Sequence, residues 1–182
     1  SNGLNNPILQ QTRPPGYGTF PSGDYNMDTR ITRSTAPSPG HNGLTIAQAM
    51  LQGFKETPSI SISMPATDFV NLYANSTSQG LERSCSAEFI PAENDSRPAF
   101  QEHCGLKVQG GASRNTSSSP KHSLSFRFRT EYGAGRLGQV LFHEVDVDNF
   151  NSIALRAGYN NSWIHGDSGQ RSRGSMIRDQ WM

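Results

Sequence analysis

The chain has 182 residues, of which 33% are hydrophobic, with a mean hydropathy of −0.63, so one domain with a modest core is the expectation. Sixteen Lys and Arg against fifteen Asp and Glu leave a net charge of +1, which argues against a nucleic-acid binder that works through bulk charge. No apolar run approaches the roughly 18 residues of a membrane-crossing helix.

Residues 1–43 are rich in Pro, Gly, Asn and Thr and hold no sustained apolar period. Pro14-Pro15-Gly16 and Pro37-Ser38-Pro39-Gly40 are turn or extended-chain signals, so the segment reads as a linker or lead-in. Residues 45–56 (TIAQAMLQGFKE) predict a helix, with Ile46, Met50 and Ala49 or Phe54 on one face. Thr45 is its N-cap candidate, Gln48 completes a capping box, and Thr57-Pro58 ends it. SISISM (59–64) alternates apolar and polar residues as a half-buried strand does, and a short helix or turn is expected at Ala66–Leu72.

A polar connection at 73–83 leads to a strand at 85–90, a loop at 91–99 and a strand at 105–110. The next strand, HSLSFRFR (122–129), places Leu124, Phe126 and Phe128 on one face and Ser125, Arg127 and Arg129 on the other. Two readings stay open for the arginines, a solvated sheet face or a ligand role. Further extended pieces are expected at 137–142 and around 152–156, and a helix opening at Ser175 runs to Met182. The order helix, mostly antiparallel strands, helix is α+β, a sheet with flanking helices. The chain begins at Ser1 and stops inside an apparent helix, so it reads as a piece of a longer protein.

The stretch with most chemistry in it is GLKVQGGASRNTSSSPKHSLSFRFRTEYG (105–133). Gly110, Gly111, Ala112 and Ser113 allow backbone N–H groups to approach an anion, and Lys121 stands where the loop re-enters the sheet. A glycine-rich loop over phosphates with a lysine on the next strand is one way to build a phosphate site. The same composition also serves as a flexible connection between paired strands.

Other constellations carry less. The five histidines (His41, His103, His122, His143, His165) have no metal-ligand spacing. Asp146 and Asp148 share one side of an extended segment without an EF-hand ladder, so a solvated turn is preferred to a cation site. No G-x-S-x-G elbow supports a serine hydrolase. Cys85 and Cys104 flank a loop, and both a disulfide and a pair of reduced, partly buried thiols remain open. Sequons at Asn75, Asn94, Asn115 and Asn160 mark surface loops.

Taken in order, several blocks resemble the spore coat protein H (CotH) kinase-like family, as found within large bacterial envelope or secreted proteins. They are Pro58–Met64, LYANSTSQGLERSCSAEFI (72–90), the stretch 105–137 with its glycine loop and Pro120-Lys121, and LF (141–142). FNSIALRAGYNNSW (150–163) and IRDQWM (177–182) follow, and ILQQTRPPGY (8–17) and DYNMD (24–28) are similar to the usual lead-in. The resemblance covers most of the chain and assigns 44–182 to the N-terminal part of the domain.

The resemblance implies a partial atypical protein-kinase-like fold that transfers the γ-phosphoryl of ATP, with Mg²⁺, to serines of secreted or surface proteins. It implies an extracellular or cell-envelope location. Gly110, Gly111 and Ser113 would cover the nucleotide phosphates and Lys121 would contact them, while Arg178 and Asp179 match the family's RD pair. His122 departs from the pattern, because many members carry a second lysine there. The family's metal-holding aspartates lie beyond the RDQWM helix, so this chain alone is expected to be inactive. A non-catalytic surface binding or adhesion module with the same fold is the alternative, and a β-rich structural piece with a merely solvated Lys121 is a third reading.

Overall fold

The structure, a computed structural model, describes residues 29–116, 121–142, 147–159 and 167–174. The helix expected from Ser175 and most of the lead-in fall outside these residues. The architecture is α+β, a five-stranded antiparallel sheet with a few flanking helices. The chain divides into two compact units, residues 1–62 with 88–101, and residues 63–87 with 102–182.

In the first unit, α1 (Thr29–Thr32) lies against α2 (Ile46–Glu56). A short bridge joins Pro37 to Thr45, and Gly43 makes the turn between them at φ 82°. α2 starts where expected: the Thr45 hydroxyl accepts from the Gln48 N–H at 3.2 Å and the Gln48 side chain accepts from the Thr45 N–H at 2.9 Å. These two bonds satisfy donors that a helix start otherwise leaves to water. The residues 88–101 of this unit stack Phe89 on Phe100 at 5.5 Å, with the Arg97 guanidinium 5.0 Å from the Phe89 ring and paired with Asp95.

The sheet order is β1 (Ser59–Ser63), β2 (Arg83–Ile90), β3 (Phe100–Gln109), β4 (Ser123–Arg127) and β7 (Ser152–Leu155). β3 starts five residues before the expected Gly105, because Phe100 has an aromatic partner in Phe89. Conversely, the extended piece expected at 137–142 pairs only as β5 (Leu137–Gly138) with β6 (Asn149–Phe150), since a strand persists only where it has a partner.

In the second unit, the period-two pattern decides the core. Cys85 and Ala87 of β2, Cys104, Leu106 and Val108 of β3 and Phe126 of β4 are all buried, as is Phe128 just beyond β4. α3 (Ala66–Ala74) buries Leu72, and Leu137 and Leu141 are buried too. Arg83 holds α3 at its base, 3.5 Å from the Asp68 carboxylate and donating to the Asn71 side chain at 2.9 Å. α4 (Ser168–Ser172) is a single turn.

Thr45→Ala removes one half of the capping box and is expected to cost about 1 kcal/mol, a drop of roughly 2–4 °C in Tm. Thermal unfolding followed by far-ultraviolet circular dichroism checks this; an unchanged midpoint would show that the cap contributes nothing.

Candidate anion site

β3 and β4 pair antiparallel, with Lys107 opposite Ser125, Gly105 opposite Arg127 and Gln109 opposite Ser123. Residues 107, 125 and 127 therefore face away from the side that buries Leu106, Val108 and Phe126. On that second face lies a pocket of about 320 Å³, lined by Gln79, Lys107, Val108, Gln109, Gly110, Arg114, Ser125 and Arg127. Its size is at the lower end of small-ligand sites. Three cationic side chains line it and no carboxylate does. Buried Ser125 adds a hydroxyl.

The chain brings Arg114 there by a sharp reversal. After β3, Gly110 has φ 129°, a conformation that residues with a Cβ rarely adopt, and a Cβ at this position would collide with the Ser113 hydroxyl. A 3₁₀ turn follows at Ala112–Arg114. The Arg114 carbonyl accepts the Ser76 hydroxyl at 2.6 Å, which ties the turn to the end of α3. Arg114 Nε is buried with no hydrogen-bond partner. Lys107 Nζ donates to the Gln79 carbonyl at 3.1 Å, which leaves its other protons for a ligand.

His122 holds the other end of the loop. It is 4% exposed, packs 4.9 Å from the Tyr73 ring, and its Nδ1 lies 3.0 Å from the Ser113 carbonyl. A carbonyl only accepts, so Nδ1 carries the proton; Nε2 shares a 3.3 Å bond with the Thr116 hydroxyl. His122 is thus a staple between the loop and the start of β4.

Of the residues singled out in the sequence, Gly110 lines the pocket. Ser113 packs beneath Gly110 and supplies the carbonyl that His122 binds. Gly111 is exposed, and a Cβ there would meet nothing. Lys121 is exposed beside the undescribed residues 117–120 and does not line the pocket. Arg178 and Asp179 lie outside the described residues. Lys107 and Arg114 were not singled out by the sequence; their signal was the spacing K-x₆-R across a Gly-Gly reversal, which has meaning only once the loop folds back.

On the same face, Glu82 covers Gly105. A Cβ at Gly105 would collide with the Glu82 carboxylate and come within 2.6 Å of Tyr132. Glu82 Oε2 pairs with Arg129 at 3.4 Å, while Oε1 is buried without a partner. Burial and then the Glu82 charge push the Tyr132 hydroxyl up to about 12.

No protein-family model matches this chain, and no curated protein or solved structure matches it either.

Two outcomes test this geometry. His122→Ala strands the Ser113 carbonyl and is expected to cost about 1–3 kcal/mol in urea unfolding; a variant as stable as the parent would remove the staple. Tyr132 keeps its proton longer in the folded than in the unfolded chain. Its contribution to stability is therefore present below pH 10 and lost as pH rises from 10 to about 12. Ultraviolet titration should resolve one late tyrosine that Tyr132→Phe removes; five tyrosines titrating together would contradict the assignment.

Proposed function

We propose that the pocket binds the phosphate groups of a nucleotide, and that the chain is the N-terminal part of a CotH kinase-like domain acting on serines of secreted or surface proteins. The observation that carries this reading is the convergence of Lys107, Arg114 and Arg127 on one pocket beside the Gly110 reversal, with no carboxylate in the lining. Like charges gathered in one concavity repel one another, and a polyanion turns that repulsion into attraction. A triphosphate brings several charges and many acceptor oxygens to match guanidinium and ammonium donors.

In this reading Arg114 and Arg127 hold phosphate oxygens through directed N–H bonds, Lys107 acts as a point charge, and Ser125 donates its hydroxyl. Lys121, at the far end of the loop, is proposed to meet the part of the nucleotide that extends beyond the pocket. ATP would supply the transferable phosphoryl group. For Mg²⁺ the described residues do not fit: they contain no group of three or more His, Cys, Asp or Glu side chains able to hold a metal ion. The metal would therefore be carried by the nucleotide and by residues other than these. No helix among the described residues is long and apolar enough to cross a membrane.

Calorimetric titration of the purified chain with tripolyphosphate and with ATP tests the reading. Binding of both is expected, tighter for ATP. Arg114→Ala or Lys107→Ala should weaken it about ten- to a hundred-fold, the loss of one charge-assisted hydrogen bond. Lys55→Ala, on exposed α2, should change nothing. Tripolyphosphate binding without preference for ATP would retain the anion site and remove the nucleotide. No binding of either by a folded chain would remove both and favour the adhesion module.

A further inference from the structure

The opposite face of the same sheet holds chemistry that the pocket does not use. Cys85 on β2 and Cys104 on the neighbouring β3 both point into the core, 4% and 0% exposed. Their sulfurs are 3.6 Å apart, and they are the chain's two cysteines, 19 positions apart in sequence. A disulfide needs sulfurs about 2.05 Å apart on Cβ atoms already held near each other, and adjacent antiparallel strands supply that approach.

We propose that Cys85 and Cys104 are an oxidisable pair, joined into one cross-strand disulfide by exchange with a small-molecule or protein disulfide, which ties β2 to β3. The proposal rests on strand pairing and is independent of the nucleotide reading. In the reduced protein the two thiols share a hydrogen bond in which either sulfur can donate. That bond holds the Cys85 thiol below the usual thiol range and, together with burial, pushes Cys104 up. Cys85 is also the more accessible of the two.

Cys85 thiolate attacks one sulfur of the oxidant disulfide and expels one thiolate, leaving a mixed disulfide. Cys104 then loses its proton, and its thiolate attacks the Cys85 sulfur and expels the second thiolate. Two electrons and two protons pass from the pair to the oxidant, which becomes two thiols. Both sulfurs are buried, so exchange takes place while β2 and β3 are closing or transiently open, and the completed bond is shielded from reductants.

The test is refolding of the reduced chain in a buffer of oxidised and reduced glutathione, followed by acid quenching. Trypsin leaves both cysteines in one peptide, Ser84–Lys107, because Arg97 precedes Pro98. The expected result is a peptide lighter by two hydrogen atoms, no free thiol in the denatured monomer, and a Tm about 6–12 °C above that of the reduced protein. Dithiothreitol should reverse all three. The comparison uses the parent chain in two redox states, so it stands even where Cys85→Ser or Cys104→Ser fails to fold. Two free thiols after refolding, glutathione retained on either cysteine, disulfide-linked dimers, or a Tm no higher in the oxidised form would each overturn the proposal.

Discussion

The antiparallel register of β3 against β4 is the constraint on which both faces of the second unit depend. Pairing Leu106 with Phe126 and Lys107 with Ser125 sends one set of side chains into the core and the next set into the pocket. A slip of β4 by one residue would turn Arg127 into the core and Phe126 out of it. The desolvation of that cation would far exceed any gain from such a slip, so the chemistry of the pocket also protects the register.

The loop between these strands is polar and small, and by composition alone it would be loose. A glycine and two hydrogen bonds hold its described part. Gly110 permits the reversal, His122 binds the Ser113 carbonyl from the β4 side, and Ser76 binds the Arg114 carbonyl from the α3 side. With both ends anchored, Arg114 is delivered beside Lys107 and Arg127 instead of being left to solvent. The price of that placement is charge repulsion, which a phosphate group would relieve.

Charge is segregated along this face. Glu82 lies over Gly105, where Arg129 answers it, and stays out of the pocket lining. The two cysteines occupy the apolar side of the same strands. Strand alternation thus separates a proposed anion site from a proposed oxidisable pair by the thickness of one sheet, so each can be altered with limited effect on the other.

Much of the fold was legible because its signals are local. The Thr45–Gln48 capping box, the alternation of SLSFR and the glycine at the reversal all act within a few residues, and each stands where the sequence places it, whereas β1 forms at SISIS with Ile60 exposed and without the expected alternation of burial. The α+β class followed from their order. The β3 start at Phe100 was not legible, since it depends on Phe89, and neither was the shortness of β5, which depends on β6. The candidate site was half legible. Gly110 announced itself through backbone chemistry, and Arg127 appeared as one of two open readings. The spacing of Lys107 and Arg114 across the Gly-Gly reversal could not be read as a site, because the two cations meet only when the loop folds back over the strand pair. No local signal marked His122 as a staple, because that work required Ser113, Thr116 and Tyr73 to converge on it. By itself the sequence determined the start of α2 and the apolar face of β4, because capping and periodicity are short-range. Only the tertiary structure decided which cations share a pocket and which sulfurs come within reach, because those depend on contacts between residues far apart in the chain.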